Sequence, residues 1–249
     1  MKHILVSNDD GVHAPGLQSL VRALREIARI TVIAPDRNKS AASGAITLDR
    51  SVAVSEIAPG VYAADGTPAD CVHLAFTGFL KDKPDLVISG INGGKNLGED
   101  VLYSGTVGAA KEGPVFGVSA LAVSQIESGW EHLEAAASIT KSLVERLLKE
   151  ETESPVFLNV NIPNLPFSAL RGIRLTRLGR REPSEVCIAD GRDGTQQRFL
   201  FGKQGRPTDN GAGTDFEAVQ SGYVSVTPLR IDWTDLRSEC EISRRLGLK

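Results

Sequence analysis

The sequence predicts an α/β fold: a Rossmann-like parallel sheet core with an extended C-terminal β region. Three observations predict it. Short apolar runs alternate with segments of helical period as far as residue 162, the β-α-β rhythm of a parallel sheet with right-handed crossovers. The runs His3-Ile4-Leu5-Val6-Ser7 and Leu86-Val87-Ile88 are apolar and end in polar residues, as buried strands do. After Pro166 the rhythm stops, and short strand-like runs are joined by polar, glycine-rich stretches. The 249 residues, 41% of them hydrophobic, suffice for one large domain or a domain with an appendage. We divide them into a catalytic core, residues 1–166, and an extended β appendage with a C-terminal tail, residues 167–249, serving oligomerisation.

Taken in order, the first strand covers residues 3–7 and stops at Asn8-Asp9-Asp10-Gly11. A helix follows over 17–28, with Leu17, Leu20, Val21 and Leu24 at helical spacing. Residues 30–34 form the second strand, ended by Pro35-Asp36-Arg37. Residues 38–48 are small and polar and read as a loop. Val52 and Val54, then Val61 and Ala63 across a turn at Pro59-Gly60, suggest a β-hairpin. Thr67 is the expected N-cap of a helix running to about Leu80, with Pro68 at its first position and Asp70 favourably placed near its positive end.

Strands are expected at 86–88, 117–124 and 156–162, with a helical run at 107–112 and an amphipathic helix at 130–150. In the strand at 156–162, Asn159 and Asn161 alternate against Leu158 and Val160. Beyond Pro166, strands are expected at 172–178, 197–201 and 222–229, and a short helix at 214–221. Residues 180–192 read as a polar stretch and 206–213 as a loop. The tail, 231–248, is amphipathic and partly helical. The strands of this last third have no obvious place in the core sheet, and strands with unpaired edges find partners. A homodimer or homotetramer is therefore expected.

Composition removes several function classes. A net charge of −3 leaves no electrostatic footprint for nucleic acid, and 5% aromatic residues provide no stacking platform for single strands. No apolar run is long enough to cross a bilayer, and no secretory signal precedes the first strand. Cys71, Cys187 and Cys240 are widely spaced and form no CxxC. They suit a reducing cytoplasm, each as a small buried or neutral residue.

The chemistry concentrates at strand ends. Ligands of doubly wound folds bind beyond the C-terminal ends of the strands. There Asp9 and Asp10 either hold a hard divalent cation, Mg²⁺ or Mn²⁺, or one of them caps the following helix. The loop after the second strand brings the hydroxyl of Ser40 to the same edge, and Asn92, after the strand at 86–88, can supply an amide oxygen. From Asp85 to Gly113 runs DLVISGINGGKNLGEDVLYSGTVGAAKEG, a strand, a glycine-rich loop and the hydroxyl-rich helix start Ser104-Gly105-Thr106. Such a helix start presents free N–H groups to an anion. Neither a Walker motif nor GxGxxG is present, and an ordinary strand-loop-helix turn is the alternative. His13 could protonate a leaving alkoxide, Arg37 could touch phosphate or ribose, Lys111 could add positive potential, and Tyr103 could stack on a base. Each could equally be an ordinary surface residue.

Asn8-Asp9-Asp10-Gly11, PDRNKSAAS (35–43), GTPADCV (66–72), SGINGGKNLGEDVLYSGTVGAAKEG (89–113) and GTDFEAVQSGYVSVTPL (213–229) together resemble the SurE family of survival-protein nucleotidases. The resemblance spans nearly the whole chain in order. Lys39-Ser40-Ala41 departs mildly from the commoner arginine-serine-glycine form of its motif, with the serine intact. The resemblance implies a divalent-metal-dependent phosphatase of nucleoside 5′- and 3′-monophosphates. It implies Asp9, Asp10, Ser40 and Asn92 as metal ligands, Asp9 and Asp10 as the catalytic pair, and Asn96, Ser104, Gly105 and Thr106 around the phosphate. Two other functions stay open: a phosphatase for other small phosphate esters or short-chain polyphosphate, and a non-catalytic nucleotide-binding regulatory module. The second sits poorly with two aspartates in an anion pocket.

Overall fold

The computed structural model describes residues 1–127, 129–150, 153–235 and 238–248. The first strand is β1 (His3–Ser7), followed by α1 (Pro15–Leu24) and β2 (Arg29–Pro35). A hairpin, β3 (Val54–Ala58) and β4 (Val61–Ala64), leads to α2 (Pro68–Leu74). Then come β5 (Leu86–Gly93), α3 (Gly105–Val115), β6 (Ala120–Gln125), α4 (Leu133–Lys149) and β7 (Phe157–Ile162). The remainder comprises β8 (Ile173–Leu175), β9 (Arg180–Arg181), β10 (Ile188–Asp193), β11 (Gln196–Leu200), β12 (Pro207–Asp209), α5 (Asp215–Gln220), β13 (Val224–Pro228) and α6 (Glu239–Leu246).

Nine strands form one sheet in the order β3-β4-β2-β1-β5-β6-β7-β13-β8. From β4 to β7 the neighbours are parallel, and β3 and β13 run antiparallel to β4 and β7. Alternation along each strand sends side chains to two cores. Ile4, Val6, Leu86, Ile88, Leu121 and Val123 pack with α1 and α4. Leu5, Val87, Ala120 and Ala122 pack with α2 and α3. A sheet covered on both faces accounts for the continuous apolar runs, and each fully buried aliphatic side chain contributes about 1.5–3 kcal/mol.

The connectivity positions the site. From β1 the chain leaves through α1 to β2 on one side, and through α2 it returns to β5 on the other. The C-terminal ends of β1 and β5 are thus adjacent at the point where the strand order reverses, where such sheets open a ligand crevice.

Most expected elements are present with shifted ends. Thr67 caps α2 as expected: Asp70 N–H donates to its hydroxyl at 3.0 Å, and Thr67 N–H donates to the Asp70 carboxylate at 2.8 Å. The α-helix stops at Leu74 and finishes in a π-turn, Ala75–Phe79, rather than running on to Leu80. β5 continues past Gly90, where it was expected to end. Gly90 has φ +142°, and a Cβ on it would lie 2.4 Å from the Val123 carbonyl oxygen, so the strand passes this point only as glycine. Pairing with β6 resumes at Asn92 and Gly93.

The C-terminal third corrects the reading that its strands lie outside the core sheet. β13 pairs with β7, and β8 extends the sheet beyond it. Among the described residues, only β9 with β12 and the hairpin β10–β11 form separate ribbons. The stretch 180–192, read as polar linker, contains β9 and most of β10. All hairpin residues are exposed, including Ile188, Phe199 and Leu200, and Phe201 just beyond is 94% exposed. Cys71 is buried and Cys187 is exposed; the side chain of Cys240 lies outside the described residues.

Candidate active site

Asn8 closes the turn after β1 on itself. Its amide donates to Gly11 O at 2.9 Å and accepts from Gly11 N at 3.3 Å. This leaves the next two side chains to diverge. Asp9, 4% exposed, faces α3: the Thr106 hydroxyl donates to its Oδ1 at 2.6 Å. Asp10 faces the loop after β2 and the end of β5, accepting from Asn38 Nδ2 at 3.3 Å and from Gly93 N at 3.1 Å. Neither caps a helix. The N-cap of α1 is Ala14, which has no side-chain cap bond.

Both carboxyls are pushed above the ordinary aspartate range. Burial is the largest cause for Asp9, which rises to about 6; the Thr106 bond opposes the rise and the neighbouring Asp10 adds to it. Burial also raises Asp10, against the opposing bond from Gly93 N–H. Neither has a cationic side chain as partner among the described residues. Burying an ion costs several kcal/mol, and a hydrogen bond to a charged group returns only about 1.5–3 kcal/mol. The pair is therefore short of positive charge, which a hard divalent cation would supply.

The other expected ligands lie on the same edge. The β2 loop is tied to the aspartates by Lys39 N–H, which donates to Asp9 O at 2.8 Å, and by Asn38. Ser40 follows, exposed, its N–H donating to Asn38 Oδ1 at 2.9 Å. Asn92 donates its amide N–H to Gly94 O at 2.8 Å, and its Oδ1 has no protein partner among the described residues. No group of three or more His, Cys, Asp or Glu occurs among the described residues. A metal here would take a mixed oxygen set of two carboxylates, a hydroxyl, an amide oxygen and water, which is the chemistry Mg²⁺ and Mn²⁺ favour.

On the other side of Asp9 stands the start of α3, and Asn96 lies beyond β5 against the ends of β6 and β7. Asn96 is buried and held by three residues that sequence reasoning missed as site components. Asn161 accepts from Asn96 N at 2.9 Å and donates to Asn96 O at 3.0 Å. Asn159 donates to the same carbonyl at 2.8 Å, and Asn96 Nδ2 donates to Ser124 Oγ at 2.7 Å. The signal was present on β7, where polar residues alternate with apolar ones in a strand buried on both faces.

Ser104 caps α3, its Oγ accepting from Val107 N at 3.1 Å while its own hydrogen has no acceptor among the described residues. Thr106 is fully buried, with its hydroxyl committed to Asp9. Gly105 touches Asp9 directly: a Cβ there would lie 2.8 Å from Asp9 Cβ. His13 and Tyr103 are exposed, and Arg37 is exposed and paired with Asp36 at 3.6 Å.

Residues 4–185 match the family model described as survival protein SurE. The protein named 5′-nucleotidase SurE from Alkalilimnicola ehrlichii is 48% identical over 234 residues, covering 94% of this chain and 91% of that protein. The crystal structure of the Sure protein from Aquifex aeolicus superposes with a TM-score of 0.87 at 38% identity, covering 98% of this chain and 99% of that one.

The Gly105 contact makes a test of the packing. Alanine is better than glycine in a helix by about 1 kcal/mol. Here Gly105→Ala should instead destabilise by about 1–3 kcal/mol, because the new methyl meets the Asp9 side chain. Urea unfolding at constant m-value checks the sign.

Proposed function

The chain belongs to the survival protein SurE family, and on that footing we propose a 5′-nucleotidase that hydrolyses nucleoside 5′- and 3′-monophosphates with a divalent metal. One observation carries the mechanism: two adjacent carboxylates, one buried and one half-buried, without a counter-cation among the described residues, at the strand-order reversal and beside a helix N-terminus. Asp9, Asp10, Ser40 and Asn92 would hold a Mg²⁺ or Mn²⁺. When bound, that ion neutralises charge on a phosphoryl oxygen and lowers the pKa of a bound water.

The chain's own groups then do the following. Asn96, locked by Asn159, Asn161 and Ser124, presents its amide to the phosphoryl group. The free hydrogen of Ser104 and the N–H of Gly105 donate to further oxygens, where negative charge accumulates as the ester bond breaks. Thr106 acts through Asp9, fixing the carboxylate that orients or deprotonates the attacking water. Water attacks phosphorus, the P–O bond to the nucleoside breaks, and the departing alkoxide takes up, in net balance, the proton that the attacking water released.

The net charge of −3 favours a small-molecule substrate over nucleic acid, and no helix of the described residues is long and apolar enough to cross a membrane. The free cysteines suit a reducing, cytoplasmic setting. The exposed apolar residues of β10–β11 support a homodimer or homotetramer built through the appendage, residues 167–249.

Phosphate release from AMP and GMP, with and without Mn²⁺ or Mg²⁺, tests the activity. A generic phosphate ester and a short polyphosphate run alongside separate the other phosphatase reading, and binding without release would mark a regulatory module. Asp10→Asn should lower metal-stimulated turnover roughly hundredfold or more with the fold retained; full activity would remove Asp10 from the site. Sedimentation at micromolar concentration should give a dimer or larger, and a monomer throughout would contradict the assembly.

A further inference from the structure

The loop from Gly94 to Tyr103 joins the end of β5 to α3, and a buried ion pair from the C-terminal third holds it. Asp100 and Arg181 have side chains only 7% and 8% exposed. Arg181 donates to both carboxylate oxygens, from Nε to Oδ1 and from Nη2 to Oδ2, each at 3.1 Å. Gln204 donates to Oδ1 at 3.0 Å and Leu97 N–H to Oδ2 at 3.2 Å, so four donors satisfy the carboxylate. Arg181 also donates to Gly205 O at 3.2 Å, and its guanidinium lies 4.7 Å over the Phe216 ring.

The pair is continuous with the start of α3. Ser104 N–H donates to the Asp100 carbonyl at 3.1 Å, and Ser104 Oγ in turn caps α3 at Val107. Arg181 therefore acts on the turn that sets where the first residues of α3 stand. Asp215 reinforces the same junction, accepting from Gly98 N and from Gly179 N at 2.8 Å each. Arg181 itself lies on β9, seven positions before the exposed hairpin begins at Ile188.

We infer that Arg181 is a positioning residue for the phosphate-binding start of α3, acting through Asp100 and linking the appendage to the catalytic crevice. The inference rests on the reading of Ser104 and Gly105 as phosphate contacts. A buried ion pair is weak evidence for stability, since an apolar replacement often serves as well. A fork matched to a carboxylate and embedded in a turn fixes geometry instead. A misplacement of about 1 Å at a reacting centre costs on the order of a hundredfold in rate.

The experiment uses the full chain with Mn²⁺ and AMP, comparing wild type, Arg181→Gln and Arg181→Lys. Arg181→Gln should lower kcat by at least about tenfold, with KM near wild type, because the lost contacts belong to the transition state. Arg181→Lys, which keeps the charge but not the fork, should fall between the two. Amide exchange, measured without metal, should accelerate over residues 97–107 in both variants and stay unchanged in β1 and β6. Wild-type kcat in folded variants, with only a lower thermal midpoint, would overturn the inference. Should Arg181→Gln fail to fold, Arg181→Lys decides alone: wild-type kcat and exchange in it would overturn the inference. If the wild type itself released no phosphate, the nucleotidase reading would fall, while the exchange rates would still decide whether Arg181 orders the turn.

Discussion

Asp9, buried, and Asp10, half-buried, are adjacent carboxylates with no cationic side chain against them among the described residues, and the surrounding structure is arranged around that charge. Asp9 is pressed between the end of β1 and the first turn of α3, where the Thr106 hydroxyl and the positive end of the helix oppose its burial without cancelling it. Asp10 is fixed from the opposite side by a backbone N–H of β5 and the amide of Asn38. A geometry that two elements impose on each carboxylate cannot relax the pair apart. Such a site would be completed by a doubly charged ion, as the proposed function requires.

Rigidity around the pair comes from both halves of the chain. The core contributes Asn159, Asn161 and Ser124, which hold the main chain and amide of Asn96. The last third contributes Asp215 and the Arg181–Asp100 pair, which hold the turn before α3. The small residues of α3, Ala109, Ala110 and Gly113, let it lie close to the sheet, and Gly105 lets its start reach Asp9. Catalysis by positioning requires this kind of preorganisation, because donors that already stand in place need no reorganisation as charge develops.

How much of this was legible depends on whether a feature is local. The parallel core was legible because strand and helix periods differ and because Thr67, Pro68 and Asp70 mark a helix start within four residues. Asp9, Asp10 and the 89–113 stretch were legible because turn and anion chemistry need particular residue types at strand ends. The extension of β5 was missed because Ser89-Gly90 reads as a stop, although the strand needs Gly90 to pass the Val123 carbonyl. The β10–β11 hairpin was half missed because residues exposed on both faces carry no alternation. β13 was found as a strand but misplaced, since pairing with β7 is a long-range event. The Arg181–Asp100 pair spans 81 positions, and nothing local in the sequence marks either partner.

The central claim is that the crevice between β1 and β5 holds a divalent cation between Asp9 and Asp10. Anomalous scattering from crystals grown with Mn²⁺ tests it most directly. The expected result is a peak roughly 2.0–2.4 Å from a carboxylate oxygen of each aspartate, with Ser40 and Asn92 completing the oxygen set. A manganese peak elsewhere in the molecule, with both aspartates unliganded, would contradict the account.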